Sequence, residues 1–349
     1  MAWVGVYRYR VINVYCRTKT WLDSRILGLS IRPDCQKVSM PQSSRNVQIE
    51  KHRSYNHSTT ALTCRMSVAH AKRQDANKSA INNTAIRRWL TLVALKTTSR
   101  FYKFDGPCVP ISSRIIVKKG KNINLAEAES MAFIAAQTKI PLPRIYCSFT
   151  RKDITYIVME RVRGKTLADA WPTLSDTELK HVFIQLRHML EELRAIPAPG
   201  TAIQNCMGGS LRDSRILRPE PRFGPFHSTQ AFHYWLREGL QPEQKPQHVT
   251  DQDWADIKRM VAMQDREWEM PVFTHGDLNP FNIMILNGKI EAIIDWEFSG
   301  WLPCYWEYTS AWLGSKTRIA WQNLVATFID PWPKELEMEA IRQKWWGDF

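Results

Sequence analysis

No stretch of this 349-residue chain approaches the roughly 18 consecutive apolar residues of a membrane-spanning helix. The first ten residues carry arginines where a secretory signal would hold its apolar segment. The expectation is therefore a soluble, cytoplasmic protein. Cysteine is sparse and scattered, at Cys16, Cys35, Cys64, Cys108, Cys147, Cys206 and Cys304, odd in number and never as C-x-x-C. Free thiols in a reducing compartment follow. Acidic residues are nearly missing from one region. Residues 1–100 contain only Asp23, Asp34, Glu50 and Asp75 against 18 lysines and arginines, which equals the whole-chain net charge of +14. Residues 101–349 hold 30 basic and 30 acidic residues and are neutral.

The basic region also lacks a period. From about Ser39 to Asn83 it is rich in Ser, Asn, Gln, His and basic residues, with no sustained spacing of 2 or 3.6. This predicts a loose or disordered extension over residues 1–98, with a short helix within Arg87 to Lys96. A plain tail, or a start placed too far upstream, is the preferred reading over a mitochondrial transit segment, which Arg-rich, acid-poor composition also resembles. Such a segment can also bind nucleic acid or an anionic membrane. Few aromatics lie between its charges, which counts against nucleic acid.

From Phe101 onward the texture is globular. Arg114 to Lys118 reads as a strand. Asn124 then caps a helix with Glu127 at its third position and an apolar face of Leu125, Ala128, Met131, Ala132 and Ala135. Arg144 to Phe149 and Thr155 to Glu160 read as strands. Gly164 marks a change. Ser175 and Glu178 form a capping box opening a helix with Leu179, Val182, Phe183, Leu186, Leu190 and Leu193 on one face. Residues 197–227 are Gly-, Pro- and Arg-rich and irregular; helices follow near 229–240 and 250–263, and a Trp-rich helical tail ends the chain. The fold class is α+β in two lobes: a small β-rich lobe over 99–162 and a larger, mainly helical lobe over 163–349.

The chemistry gathers between His275 and Asp295. Residues 274–282, Thr-His-Gly-Asp-Leu-Asn-Pro-Phe-Asn, read as a loop. Ile283 to Leu286 is an apolar strand, Asn287-Gly288 the preferred pair for a type I′ turn, and Ile290 to Ile294 the return strand. The hairpin brings Asp295 back toward Asp277 and Asn282. One carboxylate with an amide carbonyl suits Mg²⁺, which takes hard oxygen ligands, and a second carboxylate suits a base facing a hydroxyl. The Asp277-x₄-Asn282 spacing equals that of kinase catalytic loops, with Gly276 in place of Arg.

These residues, with Ile294-Asp295-Trp296-Glu297, Tyr156 to Glu160, Gly164 to Leu167, and Gly300 to Glu307, resemble the aminoglycoside phosphotransferase and choline kinase-like family, in its fungal branch of unassigned function. The likeness extends over roughly 250 residues. It implies a protein-kinase-like fold with ATP between the lobes, and transfer of the γ-phosphoryl group to a hydroxyl of a small molecule. It implies Asp277 as base, Asn282 and Asp295 on Mg²⁺, Lys118 on the α/β-phosphates, Glu127 paired with Lys118, and Glu160 to Val162 as a backbone hinge for adenine. His275 would shape the loop. Lys119 remains the alternative to Lys118, and plain helix capping the alternative for Glu127. Trp296 and Trp301 read as core or wall.

No G-x-G-x-x-G precedes Lys118; Gly106 is the sole glycine between Arg100 and Gly120. A catalytically weak nucleotide sensor or scaffold is the alternative function. His-x-Asp also begins the two-His-one-carboxylate iron triad, but His275 is the last of nine histidines, so that reading lacks its second histidine. The acceptor and the oligomeric state are not legible. Residues 200–260 are expected to shape the acceptor pocket, with Asp213, Glu220 and Glu238 drawing a cationic substrate.

Overall fold

A computed structural model of the chain describes residues 80–347 apart from 105, 217, 244, 248, 316 and 317, all within one compact unit, Met66–Phe349. Readings made on residues 1–79 lie outside the described residues. Over 80–98, grouped above with the extension, there is a helix, α1 (Ala85–Lys96), capped by the Thr84 hydroxyl, which accepts from the Arg87 amide. The chain before it runs beside a sheet edge, with Ser148 N donating to Ile81 O at 2.9 Å and Ile81 N donating to Ser148 Oγ at 3.0 Å.

The small lobe is a four-stranded antiparallel sheet ordered β1-β2-β4-β3, from β1 (Cys108–Pro110), β2 (Ile115–Gly120), β3 (Ile145–Arg151) and β4 (Ile154–Glu160). Alternation decides what each face does. Val117 pairs with Val158, and with Cys147, Phe149 and Tyr156 forms a core under Leu92 and Leu95 of α1. Lys118, one residue on, faces the opposite side, where α2 (Leu125–Gln137) packs and Glu127 meets it.

Asn124 caps α2 as its sequence predicts, accepting from Ala126 N at 2.9 Å. Its buried row differs from expectation: Leu125, Ala128 and Met131 hold, but Ile134 completes it while Ala132 and Ala135 stay exposed. The helix is wedged between sheet and large lobe, and its bulkier residues fill both contacts. Met131 and Ile134 join the large-lobe core, and Phe133 meets Phe273 and Trp301 at ring separations of 5.2 and 6.3 Å.

The large lobe begins with β5 (Lys165–Thr166) and α3 (Leu167–Ala170). The capping box then forms: the Ser175 hydroxyl accepts from Glu178 N, and the Glu178 carboxylate from Ser175 N at 2.8 Å. It opens α4 (Asp176–Arg194), which buries Val182, Phe183, Leu186, Leu190 and Leu193. Each of these removes enough apolar area from water to contribute roughly 1.5–3 kcal/mol. Helices α5 (Thr229–Leu236) and α6 (Asp251–Gln264) follow, and α7 (Trp306–Leu313), α8 (Ile319–Phe328) and α9 (Pro333–Trp346) close the chain. The α+β, two-lobed layout read from the sequence is the architecture observed.

Two short ladders lie between α6 and α7. β7 (Ile283–Leu286) pairs with β8 (Lys289–Ile293) as the expected hairpin. Asn287 and Gly288 both take positive φ, 52° and 71°, as a type I′ turn requires. β6 (Val272–Thr274) pairs with β9 (Gly300–Leu302). The loop 275–282 leaves β6 and enters β7, and the segment 294–299 leaves β8 and enters β9. Because both pairs of flanks are hydrogen-bonded, the two connections are clamped against one another.

Candidate active site

That clamp converges the predicted residues. Ile294 N donates to Asn282 O at 2.9 Å, and the His275 ring bonds Ile294 O at 3.0 Å through Nε2. Gly276 holds φ +84°, and a Cβ there would stand 2.7 Å from Phe298 O. Only glycine lets the loop approach the 294–299 segment so closely. Asp295 itself takes φ +65°, turning the chain out of the line of β8.

Asn282 donates its amide to Asp277 twice, to the backbone O at 2.8 Å and to Oδ2 at 3.0 Å. Both amide hydrogens of Asn282 are thus committed to Asp277, and its Oδ1 takes no part in these bonds. Lys118 Nζ lies 2.6 Å from Asp295 Oδ1 and 2.8 Å from both Glu127 oxygens. Glu127 is therefore used as an ion-pair partner and not as a cap. By strand alternation Lys119 faces the α1 side of the sheet, away from this group.

Burial pushes the Asp277 carboxyl up to about 7, helped by the negative charges of Asp295 and Asp213, while the amide bond from Asn282 pulls the other way. Burial likewise lifts Glu127 to about 7, because Lys118 is shared with Asp295 and compensates only in part. Burial disfavours the Lys118 ammonium too, but the two carboxylates outweigh it and hold its pKa above that of ordinary lysine. A buried carboxyl with a raised pKa beside charged partners is the kind of perturbation that marks functional sites.

His275 is fully buried, and burial lowers its pKa to about 4. Its Nδ1 accepts from Asp277 N at 3.2 Å, which leaves Nε2 to carry the proton toward Ile294 O. Both ring nitrogens are thus engaged, consistent with a loop-shaping residue and with no iron ligand.

Glu160 and Val162 stand apart from this group. They line a cavity of about 430 Å³ with Arg114, Leu142, Tyr146, Arg161, Arg163 and Glu291. Lys118, Asp277, Asn282 and Asp295 do not line it. The backbone of Val162 makes no hydrogen bond to another described residue.

Two participants were not assigned a role from the sequence, and a third has a different one. Glu307, in the first turn of α7 and fully buried, accepts from His275 N at 2.6 Å and Gly276 N at 3.2 Å, holding the base of the loop. Arg212 joins Glu297 at 2.9 Å, reaches Asn122 O at 3.4 Å and lies over the Phe298 ring, so the irregular 197–227 segment touches both lobes beside Asp295. Asp213, expected to attract a cationic acceptor, is instead enclosed. It is bonded to Arg215 at 2.6 Å and to the Trp306 indole at 3.1 Å, and so is not available to a substrate. Only a buried Trp306 indole in need of an acceptor could have hinted at it.

The sequence model of the phosphotransferase enzyme family matches residues 124–339. Subtelomeric hrmA-associated cluster proteins from two strains of Aspergillus fumigatus are 34% identical over 68 residues, 18% of this chain. That match spans only 13% of the length of those relatives. Among solved structures, aminoglycoside phosphotransferase APH(4)-Ia is similar at 15% identity and a TM-score of 0.47, over 69% of this chain and 81% of that one. The gentamicin complex of APH(2")-IIa is similar at 15% identity and a TM-score of 0.46, over 76% of this chain and 87% of that one. Since the family's model runs through α2, the loop at Asp277 and the segment after β8, and takes in well over half of the sequence, this chain belongs to the phosphotransferase enzyme family.

Proposed function

We propose that the protein transfers the γ-phosphoryl group of ATP to a hydroxyl of a small molecule, with Asp277 as the base. The support for this is that the Asp277–Asn282 pair and the Lys118–Glu127–Asp295 chain of ion pairs sit on neighbouring segments tied by Ile294 N to Asn282 O, near enough for the Asp295 charge to act on Asp277. Asp277 is held by Asn282 and kept near neutrality by burial, so it is poised to take a proton from an incoming hydroxyl. Lys118 is charged and fixed, which suits the α/β-phosphates of a nucleotide. The free backbone groups of Val162, with Glu160 beside it, suit the edge of an adenine.

The donor set fits Mg²⁺. Among the described residues there is no cluster of three or more His, Cys, Asp or Glu arranged for a metal. A cation here would rest on Asn282 Oδ1, on Asp295, whose side chain is 37% exposed, and on phosphate oxygens, the few-ligand habit of Mg²⁺. When bound, it supplies charge neutralisation and orientation of the phosphates. The chain's own part is to hold the two donors still: Asn282 by its bonds to Asp277, Asp295 by Lys118.

The test is a Mg²⁺–ATP thermal-shift titration followed by a hydroxyl-acceptor screen. Asp277→Ala should lower kcat by roughly 10² to 10⁴ while leaving nucleotide binding. Asp295→Ala should abolish the Mg²⁺-dependent part of nucleotide binding. Full turnover by Asp277→Ala would overturn the assignment of the base. A shift without turnover on any acceptor would make the protein a nucleotide sensor.

A further inference from the structure

The outward side of α1 is as apolar as the side it buries. Leu92 and Leu95 pack inward against the sheet, while Ile86, Trp89, Leu90 and Val93 point the other way at helical spacing. Phe101 and Phe104 extend this stripe just past the helix. All six are between 37% and 80% exposed, and they make up half of the large exposed hydrophobics among the described residues. Single exposed apolar residues are ordinary; a continuous stripe with Trp and two Phe is not.

The charge around the stripe has one sign. Residues 80–104 carry Arg87, Arg88, Lys96, Arg100 and Lys103 and no acid. The 79 residues that lead into it hold 14 basic and four acidic residues. At helical spacing Arg87 and Lys96 border the stripe while Arg88 lies on the inward side; Arg87 is held by Tyr146 O and Arg100 by Lys96 O.

We propose that this face docks on an anionic lipid bilayer. An apolar stripe with interfacial aromatics, bordered by arginine and lysine, is what an in-plane amphipathic helix presents to acyl chains and acidic headgroups. Nucleic acid would leave Ile86, Leu90 and Val93 in water. A second copy meeting this face about a two-fold axis would set arginine against arginine. Val117, under α1, and Lys118, in the ion-pair chain, point to opposite faces of the sheet, so a docked lobe leaves the side bearing Asp295 clear. The proposal is independent of the assigned reaction.

The experiment is vesicle flotation of the full chain, using phosphatidylcholine alone and phosphatidylcholine mixed with phosphatidylserine. The combined variant Ile86→Ser/Trp89→Ser/Leu90→Ser alters only exposed side chains, and circular dichroism checks that it is folded. The full chain is expected to float with the acidic vesicles, less so as salt rises. The variant is expected to bind roughly tenfold or more weakly. Absence of flotation overturns the proposal, as does equal binding by the folded variant or equal binding to neutral vesicles. A dimer on size exclusion that the variant dissociates, without vesicle binding, identifies a second copy as the occupant. A lower Tm for the variant, without vesicle binding, shows that the face is covered within the molecule. Both of these results also overturn it.

Discussion

Replacing Glu307 by alanine should loosen the loop at Asp277 without touching any residue proposed to meet substrate. Its carboxylate accepts from two consecutive backbone amides, His275 N and Gly276 N, deep in the protein. Alanine leaves both donors buried and unpaired, at a cost of about 1–3 kcal/mol each. Against that, burial raises the pKa of Glu307, so its removal relieves part of a desolvation penalty. A net loss of about 2–4 kcal/mol follows, in the lower part of the summed range. For a chain of this size, at about 2.1 cal/mol/K per residue, that lowers Tm by roughly 3–6 °C. Glu307→Gln keeps one accepting oxygen but aims an NH₂ at the second amide, so it should fall between. Thermal melts of the three proteins by circular dichroism, with kcat at a temperature where all are folded, make the comparison. An alanine variant melting within about 2 °C of the parent with unchanged kcat would refute the reasoning.

With Asp277 as the proposed base, the pH dependence of kcat/KM should show an acid limb near pH 7, falling about tenfold per unit below it, because a base acts unprotonated and burial raises this carboxyl to about 7. Asp213→Asn removes one of the charges that raises it and should move the limb to lower pH; a limb that stays put removes Asp213 from the account. Gly276→Ala must combine φ +84° with a Cβ 2.7 Å from Phe298 O, and should cost about 2–5 kcal/mol in urea unfolding; a loss below about 0.5 kcal/mol would mean the close approach is not required.

What the sequence made legible was mostly local. Asn287-Gly288 between two apolar runs fixes a hairpin through its own backbone preferences, and Ser175 with Glu178 fixes a helix start the same way. Those elements stand where the residues put them. The spacing of Asp277 and Asn282, with the hairpin, was enough to expect that Asp295 would meet them. The second half of the clamp, the β6–β9 ladder, pairs segments separated by the whole hairpin, and three-residue strands carry too little alternation to announce a partner. Glu307 reads as an ordinary helix-start acid, because only the tertiary structure shows which orphan amides it faces. Asp213 reads as an exposed charge because its arginine partner is two residues away and its indole partner lies in α7. On α2, the apolar spacing indicated the buried side but not that two partners share it, which is why Ile134 displaced the alanines.

Lys118 ties the two lobes together. Its two carboxylate neighbours belong to different bodies: Glu127 rides on the same lobe, Asp295 on the other. Widening the cleft therefore breaks one contact and preserves the other. The ammonium is never stranded without a counter-charge, and what is set free is Asp295, the more solvent-accessible acid. Opening thus exposes an acid while the lysine stays paired to Glu127.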